Sequence, residues 1–318
     1  MSKKYTLIPS DKEGLFRIKA LKDFGDVKAG DIGGYIESEK NLSQVGSCWV
    51  SGNALVSGNA QVYDNAQVYG TAQVYGTAHV YDNARVYDNA RVYSNACIAD
   101  TACVSGDVYV RGNVQVRGSA QVYGDAWVSG NAWVYDSAQV RDSAWVYGNA
   151  QVYGNAQVYD SARVYDSAQV YGNAWVYGDA WVYGNAGVYG TARVQYGTLK
   201  KEVGPNSREI IVCSLNVYPV EGVYVLYKRV RNTRKKGVYL SCFDTNFLYT
   251  LGEYTRVLEC DEDVSVSCGS GIHVSTPFYW EEGDTLIAVK VKVEDVITCQ
   301  EGKLRVRGCT PIEEIEID

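Results

Sequence analysis

From Val50 to Val194 an aliphatic residue recurs at every sixth position without a slip. The series has 25 members, 24 Val and Ile98. Two residues before nearly every member stands Ala, as at Ala54, Ala60 and Ala66, with Val108 and Val114 as apolar replacements. A period of six fits neither a helix nor a simple meander. Ala and Val, two apart, lie on one side of an extended segment. The residue between them, usually Gln, Trp or Arg, points the other way, and so does the Tyr that follows Val. Each hexad closes on Gly-Asn, Asp-Asn, Asp-Ser, Gly-Asp or Gly-Thr, residues that tolerate left-handed backbone or form local turn bonds. A hexad therefore reads as a short strand and a corner. A strict short repeat with an apolar inner face is the signature of a β-solenoid.

An aliphatic residue followed four positions later by a small one resembles the hexapeptide repeat of left-handed parallel β-helices. That resemblance implies the handedness, and it implies that three hexads make one coil. Residues 46–195 then give about eight coils, a prism on the order of 40 Å long at the spacing of stacked strands. Stacking at the three-hexad spacing sorts the outward side chains into facets. One carries Leu55, Gln73, Arg91, Tyr109, Trp127, Trp145, Arg163 and Trp181. A second carries His79, Cys97 and Trp133 among glutamines, and a third carries Arg85, Cys103, Trp175 and Arg193. Like residues fall on like, as in side-chain ladders. Trp127, Trp145, Arg163 and Trp181 are placed to stack. Tyr135, Tyr153, Tyr171 and Tyr189 form a tyrosine series by the same spacing.

The flanks have another texture. Residues 1–45 read as a cap, since a solenoid end left open would pair with other chains. In it Leu15–Leu21 reads as a strand and Gly30–Ile36 as a glycine-punctuated bend, with Ile32 placed three hexads before Val50 to start an imperfect first coil. No Lys-Ser/Thr pair follows those glycines, which excludes a phosphate loop. Residues 196–208 break the register and read as a linker. Residues 209–318 read as a small α+β domain covering the far end. Its expected strands are Ile210–Cys213, Gly222–Tyr227, Gly237–Leu240, Asp284–Val293 and Lys303–Arg307, with Asp284–Val293 half-buried and a short helix over Phe243–Leu251. The fold class is thus an all-β solenoid with an N-terminal cap and a C-terminal α+β domain.

The stretch from Phe16 to Leu21 and from Val27 to Ser43 is similar to the N-terminus of a bacterial and prophage hexapeptide-repeat family, some members of which carry an acyltransferase name. Cys268-Gly269-Ser270-Gly271-Ile272-His273, Ala288–Val296 and Lys303–Cys309 resemble a small domain of unknown function at the ends of phage proteins. These resemblances imply a phage or prophage setting.

The net charge of −7, with seven arginines against eleven aspartates in residues 46–195, argues against a nucleic-acid footprint, which needs a basic face. The first residues show no apolar signal region and no apolar run is long enough to span a bilayer, so neither export nor a membrane span is expected. Nine scattered cysteines in such a chain read as reduced thiols in the bacterial cytoplasm.

Acyl transfer would need a catalytic base, a loop thrown out of the solenoid and a cleft. The one repeat histidine, His79, holds an ordinary outward position and no insertion interrupts the hexads, so it reads as a ladder residue. Cys268 and His273 are the candidate metal ligands, but no Cys-x2-Cys pair supports them; they read as a buried thiol and a loop histidine. Cys97 and Cys103, six apart, fall on different facets, in a stretch without tyrosine that reads as a local irregularity. The basic run Lys228–Lys236 reads as a solvated hairpin tip, because no aromatic platform is interleaved with it. No cofactor is implied. What remains is the aromatic exterior, a composition typical of interfaces and sugar contacts, and the residues expected to bind are Trp127, Trp145, Arg163, Trp181, Tyr135, Tyr153, Tyr171 and Tyr189. The expected function is a non-enzymatic scaffold that binds itself, as a homotrimer in the resembling family, or a host protein. An acyltransferase and a glycan-binding rod are the alternatives.

Overall fold

The computed structural model describes residues 3–200, 208–263, 266 and 268–316. The chain forms two compact units, Met1–Gly187 and Val188–Asp318.

The first unit opens with three strands, Tyr5–Pro9, Phe16–Ala20 and Ile32–Ile36, paired antiparallel in that order. The glycine-rich stretch expected to bend is the third of these strands. Its glycines answer to close packing: a Cβ on Gly33 would lie 2.5 Å from the Val50 carbonyl oxygen and 2.6 Å from Ile18. The strand continues into the solenoid, pairing in parallel as Ile36 with Val56, and Leu42 bridges Val62. Those offsets are longer than the three hexads of the later repeat, and Ile32 is 50% exposed. The imperfect coil expected from Ile32 thus opens with this strand, but at a longer offset than the repeat and with Ile36, not Ile32, beside an inward valine. Regular pairing begins with Trp49 beside Gln67. Beneath the cap, the buried Lys4 ammonium donates to the Cys48 carbonyl at 2.9 Å and to its Sγ at 3.1 Å. Burial holds the Lys4 pKa down and pushes the Cys48 thiol up.

From there each hexad contributes a short strand, and each strand pairs in parallel with the one three hexads on. Gln67, Arg85, Cys103 and Gln121 follow one another in one sheet. Gln61, His79 and Cys97 do so in a second, and Gln73, Arg91 and Tyr109 in a third. The register runs without a break through Cys97 and Cys103, where an irregularity was expected. The departures flank it, in the longer strands Arg91–Ser94 and Tyr109–Gly112. All 25 aliphatic positions are at most 1% exposed, each burial stabilising by roughly 1.5–2 kcal/mol. The ladder amides are spent between coils: in one hexad Gln121, Tyr123 and Asp125 donate to the carbonyls of Ala138, Val140 and Asp142 at 2.9, 3.0 and 2.9 Å. No coil satisfies its own backbone, so the unit is cohesive only as a stack.

The second unit contains the strands Arg193–Val194 and Thr198–Leu199 and the helix Arg208–Leu215. Of the stretch read as a linker, residues 201–207 lie outside the described residues. An antiparallel sheet follows in the order Thr255–Arg256, Gly308–Ile315, Thr285–Lys292, Val223–Asn232, Ile272–Ser275, Lys303–Val306 and Val296–Gln300. Val238–Leu240 and Leu248–Thr250 form a side ribbon on Val223–Asn232.

Several expectations for this unit are corrected. Ile210–Cys213 is helical, because packing of Ile210, Ile211, Cys213 and Leu215 overrides the β-branched local preference. Phe243–Leu251 is not a helix. Ser241 Oγ accepts from the Phe243 and Asp244 amides and Asp244 Oδ1 from the Asn246 amide, which turns the chain before the Leu248–Thr250 strand. Thr285–Lys292 is buried on both faces over Leu286–Val289, since strands flank it on each side. His273 lies on a strand, not in a loop, and Cys268 is exposed. The basic run is no solvated tip at its start: Lys228 is 5% exposed within Val223–Asn232. No helix among the described residues is long and apolar enough to cross a membrane.

Candidate binding facet

Arg91, Tyr109, Trp127, Trp145, Arg163 and Trp181 each precede an inward Val and so point out from one sheet. They are direct strand partners in that order. Strands about 4.8 Å apart leave flat side chains little choice but to stack. Arg91 Nη1 donates to the Tyr109 hydroxyl at 2.7 Å and its guanidinium lies 5.1 Å from that ring centre. Tyr109 stacks on Trp127 at 5.1 Å, and Trp127 on Trp145 at 5.4 Å with a tilt of 35°. Arg163 lies between two indoles, 5.2 Å from Trp145 and 4.8 Å from Trp181. Among the described residues no carboxylate forms an ion pair with Arg163, and its guanidinium faces two π faces instead. Trp145 and Trp181 are 40% and 39% exposed.

Beside the first rungs is a polar cleft of about 250 Å³ lined by Thr71, Gln73, Asn89, Arg91, Asp107 and Tyr109. Asn89 Nδ2 donates to Asp107 Oδ1 at 2.8 Å, and Thr71 Oγ1 bonds Asn89 Oδ1. The facet thus offers a rigid strip of π faces and guanidinium groups, with hydrogen-bonding side chains at one end. It can take up flat or C–H-rich surfaces, and it places no nucleophile beside a base.

The tyrosine series is a separate feature. Tyr135, Tyr153 and Tyr171 follow the strands Trp133–Val134, Gln151–Val152 and Gln169–Val170, which form a different sheet from the tryptophan ladder. Tyr135 stacks on Tyr153 at 4.8 Å and Tyr153 on Tyr171 at 5.0 Å. Tyr189 falls in the second unit. Of the eight residues expected to bind, the structure thus divides the seven in the first unit between two surfaces. Tyr63 stacks on Tyr81 at 4.9 Å earlier in the same column as Tyr135, and Tyr147 on Tyr165 at 4.8 Å in another. Burial and then the neighbouring Tyr81 push the Tyr63 phenol up to about 12.

His79 is a rung between Gln61 and Cys97, with its ring edge-on to Tyr63 at 6.1 Å. Among the described residues no three His, Cys, Asp or Glu side chains gather as a metal-binding set. Two ladder members were absent from the expected set, Tyr109 and Arg91, although the three-hexad spacing places both. Arg111 lies 5.2 Å over Trp127 from the neighbouring column that also holds Tyr93, Ser129 and Tyr147, and spacing along one facet could not reveal it. Trp133, the most exposed solenoid indole at 48%, stands on another sheet.

No curated protein matches the chain. Residues 50–64, 60–76, 84–98, 120–136, 150–166 and 168–184 match the YdcK beta solenoid repeat. Over that part of its length the chain is a β-solenoid repeat protein related to the YdcK family.

Proposed function

We propose that this protein is a non-enzymatic scaffold, the product of a phage or prophage acting in the bacterial cytoplasm, that binds through its tryptophan–arginine ladder. The observation that carries the reading is the Trp145–Arg163–Trp181 sandwich, two half-open indoles around an arginine with no acidic partner among the described residues. Such a strip is costly to leave in water, and aromatic residues with arginine are the groups enriched at binding hot spots. Its first occupant is a second copy of the chain laid side by side; a host protein is the other. Sedimentation velocity at high micromolar concentration tests this. The intact chain is expected to associate, and the Trp145→Ala/Trp181→Ala double variant to sediment as a monomer with unchanged circular dichroism. An intact chain that stays monomeric sinks self-assembly.

A second reading is favoured by the polar cleft beside the first rungs. Aromatic faces next to Asn, Asp, Gln and Arg are what a sugar ring needs. Binding on a glycan array that disappears with Tyr109→Ala supports it, and a blank array removes it.

A further inference from the structure

The second unit contains a cavity of about 420 Å³ whose wall includes Lys228, Phe247, Tyr249, Cys268, His273 and Trp280. The Cys268–His273 motif lines it throughout, with Lys303 and the exposed Asp244 also on its wall. Lys228 projects into this wall from the middle of the sheet. Its Nζ donates to the His273 carbonyl at 3.0 Å and lies 5.7 and 5.5 Å from the Tyr249 and Trp280 ring centres. An ammonium has three protons to donate, and among the described residues no carboxylate forms an ion pair with this one. Lys303, by contrast, bonds Glu301 and the Cys268 thiol, each at 3.3 Å. Among the described residues the buried Trp280 indole N–H has no hydrogen-bond partner either. Two donors carried by residues of this aromatic wall thus have unspent bonding capacity, and a buried charge without a counter-ion is costly. Burial accordingly lowers the Lys228 pKa to about 8.

We infer that this cavity is a binding site for a small aromatic carboxylate, whose anionic head meets Lys228 and the Trp280 N–H and whose ring lies among Phe247, Tyr249 and Trp280. Charge complementarity selects the head, and the apolar wall selects the body. A carboxylate fills both vacant roles at once, whereas a neutral amide of the same shape meets only one and leaves the ammonium uncompensated.

The test uses the full chain with benzoate and its neutral isostere benzamide as probes, read by calorimetry and ligand-observed NMR. Benzoate is expected to bind at least about tenfold more tightly than benzamide, a difference in keeping with one charge-assisted bond. Lys228→Met should abolish that preference, and Trp280→Phe should weaken benzoate several-fold. Equal binding of the two probes, no binding of benzoate at millimolar concentration, or a preference that survives Lys228→Met would each overturn the assignment.

Should Lys228→Met fail to fold, the pH profile of the intact chain decides. Lys228 is charged below its pKa, so benzoate affinity should be flat from pH 6 to 7 and fall about tenfold by pH 9, one unit above the value near 8. The other ionisable groups around it are Cys242, Tyr249, Cys268, His273, Lys303, Cys309 and, at the mouth, Asp244. Burial raises the pKa of Tyr249 and pushes Cys309 up to about 12. A profile flat through pH 9 rejects the role of Lys228.

Discussion

At each solenoid corner one residue takes a positive φ, and where it is not Gly it is nearly always Asp. Asp82, Asp100 and Asp136 sit at 54°, 58° and 58°. Left-handed backbone is least costly for Gly and tolerable for Asp, but the aspartates add a bond between coils. Asp100 Oδ2 accepts from the Gly118 amide at 2.8 Å, while the Asp100 amide donates to Asp82 Oδ2 at 3.2 Å. Asp136, Asp160 and Asp166 repeat the contact with Gly154, Gly178 and Gly184. Asp100→Ala removes an acceptor and places a Cβ-bearing residue without compensation at positive φ, so it should destabilise the fold by about 1–3 kcal/mol in chemical denaturation. Asp100→Gly should cost less, because only the acceptor is lost. Equal stability of both variants with the parent would show the carboxylate bond to be idle. That these residues make corners was legible from their turn chemistry; that the carboxylate reaches the next coil depends on the stacking of coils three hexads apart.

Ladders act at the scale of the element. Each outward rung is fixed by the strand beneath it, so stacking requires little extra ordering, and partners three hexads apart behave as neighbours. Arg163 is held by two exposed indoles, contacts worth about 0.5–1 kcal/mol each. Arg163→Gln, the commonest residue in that position, should therefore lower stability by about 1–2 kcal/mol and raise the indole exposure seen by fluorescence quenching. A variant as stable as the parent would mean that the sandwich is held by the strands alone. The facets were readable from spacing because strand pairing in register leaves no freedom. The helix Arg208–Leu215 was not readable, since Ile210, Ile211 and Val212 are β-branched and favour a strand locally. The Cys213 carbonyl accepts the Gln195 and Tyr196 amides, both at 2.8 Å, a contact that appears only once distant segments meet.

Across the whole molecule the repeated tyrosines couple stability to alkaline pH. Burial raises the pKa of Tyr63, Tyr69, Tyr75, Tyr81, Tyr135, Tyr147 and Tyr153, with Tyr63 reaching about 12. A phenol whose folded pKa lies above its unfolded value of about 10 contributes stability that is complete below pH 10. That contribution is lost as pH rises through the folded value. The tyrosines' share of the denaturant midpoint should thus be constant up to about pH 10 and fall between about pH 10 and 12, in step with phenolate absorbance. Midpoints unchanged while phenolate absorbance rises between about pH 10 and 12 would show that the tyrosines do not couple to stability.

The sequence by itself determined the inner face and the corners of the solenoid, and with the three-hexad coil that the family resemblance implies, the contents of its facets. It could do so because in a stacked repeat every contact lies at one constant separation, and a period in the chain is a period in space. Only the tertiary structure decided the start of regular coiling after the cap, the helical form of Arg208–Leu215 and the burial of Lys228 beneath Trp280. Those depend on contacts between segments with no fixed spacing, where packing and the pairing of buried polar groups outweigh local preference.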